Sequence, residues 1–176
     1  MSTRPTTREA LASAIARRRR RQTKARWWRF AFFAALVLVL DQITKAIIRS
    51  ELDPRESHEI TSWFSISRVA NEGIAFGLFP GRQAAISVLT VLALSAIAIA
   101  LAGLVSRNPT VAIGAGLLVG GSLGNLIDRL SHGAVTDFID LARWPAFNVA
   151  DCGITIGAVL IVVGLMAEPE EDEEPD

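Results

Sequence analysis

The chain has 176 residues, enough for one domain, and 51% of them are apolar. Its 18 basic and 18 acidic side chains cancel, yet they are segregated: residues 17–29 carry eight cations (Arg17 to Arg21, Lys24, Arg26, Arg29) and no acid, while residues 168–176 carry seven acids and no base. A lone cysteine, Cys152, rules out an intrachain disulfide framework, and His58 and His132 stand at no ligand spacing, so neither a zinc site nor any other metal or cofactor is expected. No nucleotide-binding signature occurs. The basic run precedes a long apolar one, which reads as a topology signal or a contact with anionic lipid and not as a nucleic-acid surface.

In chain order, residues 1–26 read as a disordered basic leader. A bilayer span needs about 20 mostly apolar residues. Residues 27–48 meet that length, although Asp41 and Lys45 fall in their second half and should face other helices or a polar cavity rather than lipid. No small-x-small cleavage site follows Leu40, so this first span reads as retained rather than as a signal peptide. Within the next stretch, approximately residues 52–80, Ile60 to Ser67 alternates loosely between β-branched or aromatic and polar residues, as a half-buried strand would. Asn71-Glu72-Gly73 follows as a turn. A small sheet on the membrane surface is expected there, with Trp63 and Phe64 at the interface.

Further spans are expected at about 84–105, 111–130 and 148–167. Gly116, Gly120 and Gly124 in the third, and Gly153 and Gly157 in the fourth, permit close backbone approach, and are expected to draw those two helices together. Asp128-Arg129 ends the third span. Asp137 follows in Val135-Thr136-Asp137-Phe138, and Asp151 lies less than one turn into the last span. Residues 168–176 read as a disordered acidic tail.

The basic leader should stay cytoplasmic, and four spans then return the tail to the same side. Residues 50–82 and 131–147 fall outside, and Asp137 and Asp151 meet at the outer face with Asn125, Asn148 and Arg129. Carboxylates near lipid are costly, so a chain that keeps two of them there is using them. Two acids held together can share one proton and activate water, while nearby amide and guanidinium groups hold a peptide carbonyl.

Competing chemistries are weaker. Gly120-Gly121-Ser122-Leu123-Gly124 matches a serine-nucleophile pattern, but its flanks are continuous apolar helix instead of strand, sharp turn and helix. His132, the nearest base, lies about 15 Å further along if the helix continues. Asp41 and Lys45, spaced i,i+4, read first as a buried pair fixing helix position. A transporter would use Asp41, Lys45, Asp128 and Asp151 as relay groups, but that needs carboxylates near mid-membrane. A non-catalytic assembly factor would tolerate their substitution.

Five blocks in order resemble the lipoprotein signal peptidases, the bacterial signal peptidase II family: Asp41-Gln-Ile-Thr-Lys45; Asn71-Glu-Gly73-Ile-Ala75-Phe76; Gly120-Gly-Ser-Leu-Gly124-Asn125-Leu-Ile-Asp128-Arg129; Val135-Thr-Asp137-Phe138; and Phe147-Asn148-Val-Ala150-Asp151. The resemblance implies an all-α integral membrane protein with four transmembrane helices and a small extracytoplasmic β-sheet. It implies an aspartic endopeptidase of the bacterial cytoplasmic membrane, acting on diacylglyceryl prolipoproteins just before the lipidated cysteine. Asp137 and Asp151 would be the catalytic dyad. Asn71, Gly73, Asn125, Arg129 and Asn148 would contact substrate or shape the site, with Asp128, Asp41 and Lys45 in support. Membrane lipid and globomycin-type cyclic peptide inhibitors are the other implied partners, and no oligomer is implied. The arginine-rich leader and the acidic tail lie outside the family pattern.

Overall fold

A computed structural model describes residues 7–72 and 83–167. In chain order its elements are α1 (Thr7–Glu51), β1 (Ser57–Thr61), β2 (Phe64–Asn71), α2 (Gln83–Val105), α3 (Pro109–His132), β3 (Val135–Leu141), β4 (Trp144–Phe147) and α4 (Val149–Met166). Each of the four helices is long and apolar enough to cross a membrane.

One helix begins earlier than expected. Residues 7–26 are helical and continuous with the first span, whereas the sequence reads as a disordered leader there. Beyond Pro5 this segment is built mostly from alanine, leucine, arginine, lysine, glutamine and glutamate, all strong helix formers, and holds no glycine or proline. The acidic tail, residues 168–176, lies outside the described residues.

α3 is the central helix, packed against α1, α4 and α2. Its glycines divide between two faces, and this corrects the expected pairing. Gly116 and Gly120 meet the backbone of Phe30 and Ala34, and Gly124 meets the Asp41 carboxylate, so that stripe seats α1 rather than α4. α4 is seated by Gly114 and Gly121, which lie against Gly157 and Ala150. Steps of four or of seven both stay near one face, and the two sets start two residues, about 200°, apart, so one helix can offer small residues to both neighbours. A Cβ on Gly157 would stand 2.5 Å from the Gly114 carbonyl oxygen and 2.7 Å from the Leu118 nitrogen. Gly157→Val should therefore lower stability by about 1–3 kcal/mol. In thermal unfolding of detergent-purified protein, Gly103→Ala should show no loss, because nothing lies within 4 Å of its added methyl.

The four strands form one antiparallel sheet in the order β1-β2-β3-β4. Where the sequence reads as a single strand, the chain makes a hairpin. The Thr61 hydroxyl accepts from the Trp63 and Phe64 backbone N–H groups at 3.4 and 3.1 Å, which stabilises the turn. Residues 135–147 form a second hairpin where the sequence reads as a loop, because Val135 to Leu141 is too short a run to stand apart from the helix before it. The hairpins join edge to edge through β2 and β3, with Val69 opposite Asp137 and Asn71 opposite Val135. Asn71 is thus the last residue of a strand and not part of a turn; Gly73 lies outside the described residues.

Candidate active site

Three fully buried charged side chains tie the helices together beneath the sheet. Lys45 Nζ lies 2.9 Å from Asp41 Oδ2 and 3.2 Å from Asp128 Oδ2, and all three side chains have no exposure. Asp41 and Lys45 share a face of α1 because they are one turn apart, while Asp128 arrives from α3. Each acid then reaches a further backbone: Asp41 Oδ1 accepts from the Ala150 N–H at 2.9 Å, and Asp128 Oδ2 accepts from the Thr136 N–H at 2.9 Å. The first bond fixes the start of α4 on α1, and the second fixes β3 on α3. Arg49 adds a second cation, 3.3 Å from Asp128 Oδ1 and 3.1 Å from the Thr136 hydroxyl. Two acids and two bases make the cluster neutral, which is the condition for keeping it dry.

This frame aims the two aspartates. Gly133, with φ of 76°, caps α3 in the left-handed region, and the chain turns directly into β3. Asp137 comes inward from β3 and is 2% exposed. Asp151 is the third residue of α4, in a capping box with Asn148: the Asn148 Oδ1 accepts from the Asp151 N–H at 3.0 Å, and Asp151 Oδ2 accepts from the Asn148 N–H at 3.2 Å.

The cap settles which way the Asn148 amide points. Its oxygen is occupied by the helix, so its Nδ2 faces outward and donates to Asp137 Oδ1 at 2.6 Å and to Asn125 Oδ1 at 3.2 Å. Lys45 Nζ donates to that same Asn125 Oδ1 at 2.8 Å. With its oxygen facing two donors, Asn125 must turn its Nδ2 the other way, where it donates to Asp151 Oδ1 at 2.9 Å. Asn71 Nδ2 completes the set with a bond to Asp137 Oδ2 at 2.9 Å. Two asparagines thus bridge the carboxylates, and a buried lysine orients one of them.

Burial pushes the Asp137 carboxyl up to about 6, and the Asp151 charge adds to the rise against the bonds from Asn71 and Asn148. The folded chain holds this proton over a range where the unfolded chain has lost it. The contribution of Asp137 to stability therefore falls as pH rises from 3.8 to about 6. In paired thermal unfolding, Asp137→Asn should gain on the parent as pH rises across this window, since it lacks the titrating group.

Arg129 Nη1 approaches the Asn125 carbonyl oxygen at 3.5 Å, and its buried Nε has no partner among the described residues. Asp151, Asp137 and Asp128 all act on its charge. The structure thus gathers Asp41, Lys45, Asn71, Asn125, Asp128, Arg129, Asp137, Asn148 and Asp151 at one end of the helices. Ser122 sits inside the continuous α3 helix, without the strand and sharp turn a serine nucleophile needs. Sequence reasoning missed Gln42, Arg49, Thr136 and Arg68. Gln42 bonds Asp41 and the Gly124 carbonyl, and Arg68 donates to the Arg49 and Leu52 carbonyl oxygens at the end of α1. For Arg49 the signal was available: it stands one turn beyond Lys45 on the same face.

Four bilayer-length helices with paired, asparagine-bridged carboxylates at one end define a polytopic membrane protein with a site suited to activating water. The family described as Signal peptidase (SPase) II matches residues 33–167. A lipoprotein signal peptidase of Moorella thermoacetica is 39% identical over 83% of this chain and 99% of its own length. One from Syntrophomonas wolfei is 39% identical over 78% and 93%. A solved bacterial membrane enzyme superposes with a TM-score of 0.71 at 31% identity, over 84% of this chain and 93% of that one. The chain belongs to the signal peptidase II family, and it is accordingly a peptidase.

Proposed function

We propose that this chain is an aspartic endopeptidase that removes the signal peptide from diacylglyceryl-modified prolipoproteins, cutting just before the lipidated cysteine. The observation that carries the reading is the pair Asp137 and Asp151, brought from β3 and α4 and bridged by Asn125 and Asn148. Asp137 carries the shared proton, because burial favours its neutral form. Asp151 is the base: it stands at a helix N-terminus, where negative charge is favoured, and is partly open to solvent. Asp151 takes a proton from water as the oxygen attacks the scissile carbonyl, and Asp137 gives its proton to the carbonyl oxygen. The tetrahedral intermediate collapses as Asp151 gives its proton to the amide nitrogen, Asp137 takes back a hydroxyl proton and the C–N bond breaks. This restores the starting state of the pair. Arg129, with an unsatisfied Nε, supplies a donor for a peptide carbonyl.

The orientation proposed with it has both termini in the bacterial cytoplasm and the sheet and aspartates at the outer face. A lipidated substrate then keeps its acyl chains in the membrane while its peptide meets the site. Globomycin-type cyclic peptides are expected to block it.

The test is cleavage of purified diacylglyceryl prolipoprotein. Ser122→Ala should retain activity, and a chelator should not inhibit; complete loss in folded Ser122→Ala would sink the reading. Because the pair needs one proton, kcat/KM should fall as pH rises above about 6. A rate that climbs steadily from pH 5 to 8 would contradict Asp137 as the proton donor.

A further inference from the structure

At the opposite end of the helices from the aspartates, α1 meets the connection between α2 and α3. Arg26 Nη1 donates to the Ser106 carbonyl oxygen at 2.6 Å, which pins the basic part of α1 to that connection. Around the contact, Arg19, Gln22, Thr23, Arg26, Ser106 and Arg107 line an open recess of about 330 Å³. Its three guanidinium groups face no acid from the neighbouring elements, since residues 10–40, 83–127 and 152–167 contain none.

An apolar cleft of about 250 Å³ adjoins this recess between α1, α2 and α3, with Trp27, Phe30, Leu101, Val105, Val119 and Leu123 in its walls. The two meet where Arg26 gives way to Trp27 and Ser106 to Val105. The cleft exists because α2 packs on α3 and touches α1 only sparingly. A cationic recess opening onto an apolar cleft at the end of a membrane helix fits an anionic amphiphile. Guanidinium groups bind phosphate through paired N–H donors, and an acyl chain fills what the side chains leave open.

We propose that this is a binding site for an anionic phospholipid, with its phosphate among Arg19, Arg26 and Arg107 and one acyl chain in the cleft. A zwitterionic lipid would bring its own cation against three others, so the site selects net negative charge. The competing occupant is the acidic tail. Asn108 Nδ2 donates to the Gly164 carbonyl oxygen at 2.8 Å, so α4 ends beside the same connection and residues 168–176 leave from there. That tail holds seven acids and two prolines but no aliphatic or aromatic side chain to fill the cleft, which favours the lipid. The site does not depend on the proteolytic reading.

The experiment uses the full chain with Trp28, Trp63 and Trp144 replaced by phenylalanine, leaving Trp27 as reporter. It is reconstituted in phosphatidylcholine vesicles containing a minor fraction of acyl-brominated phosphatidylglycerol or acyl-brominated phosphatidylcholine. Trp27 should be quenched preferentially by the brominated phosphatidylglycerol, well beyond the preference of a matching chain that keeps only Trp28, which is 66% exposed and reports surrounding lipid. Arg107→Gln, an exposed change that leaves the fold intact, should weaken the preference about fivefold. Removing all three arginines should abolish it, and lysine at the same positions should restore it. Equal quenching by the two lipids, a Trp27 preference no greater than that of Trp28, or a preference that survives loss of the arginines overturns the site. A preference seen only after removal of residues 168–176 overturns it too, and assigns the recess to the tail.

Discussion

Asp137→Asn and Asp151→Asn should each lower cleavage of diacylglyceryl prolipoprotein by about 10²–10⁴-fold, the range over which a positioned acid or base acts. The double variant should be scarcely worse than either single one, because one proton passes between two groups that act as a unit. Steady-state cleavage by purified protein gives the rates, and thermal unfolding separates chemistry from collapse. Asp151→Asn keeps one side-chain oxygen for its two donors, so it should lose only about 1 kcal/mol of stability. Activity within tenfold of the parent in either variant would remove the dyad.

Lys45→Met should be the most damaging change outside the dyad, at a cost of about 3–5 kcal/mol, because Asp41 and Asp128 would remain buried without their shared cation. The effect should also reach the rate. Lys45 holds the Asn125 oxygen, and once released, that amide can turn its oxygen toward Asp151, where two acceptors repel. Any Lys45→Met protein that accumulates in the membrane should therefore cut slowly as well as unfold early. Lys45→Arg should not rescue it, since the site encloses a compact ammonium and has no room for a fork of five donors. Arg49→Met offers the contrast: that side chain is 20% exposed and shares Asp128 with Lys45, so its loss should cost only about 1 kcal/mol. Thermal unfolding of the three variants side by side checks the ranking, and a Lys45 effect no larger than that of Arg49 would contradict it.

The helices were legible because their signal is local. Uncharged runs such as Ala84 to Val105 admit few other structures, and the observed α2 ends at the same valine. Asp41, Lys45 and Asp128 stood out for the complementary reason that charge is rare in such runs. The glycines were legible as contacts but not as to partner, since spacing along one helix names a face and not the helix that meets it. The second hairpin was not legible because β3 is short and draws most of its pairing from β2, which lies more than sixty residues earlier.

Taken alone, the order of residues determined four apolar segments, a basic and an acidic terminus, and two acids that a membrane makes expensive. These depend on composition within a window, where hydrophobic burial and the cost of charge act residue by residue. Only the tertiary structure decided that Asn148 caps α4 and thereby turns its amide to Asp137, and that Lys45, from α1, fixes the direction of Asn125. An amide has two nearly identical ends, and which of them faces a carboxylate is chosen by donors and acceptors that distant segments bring together.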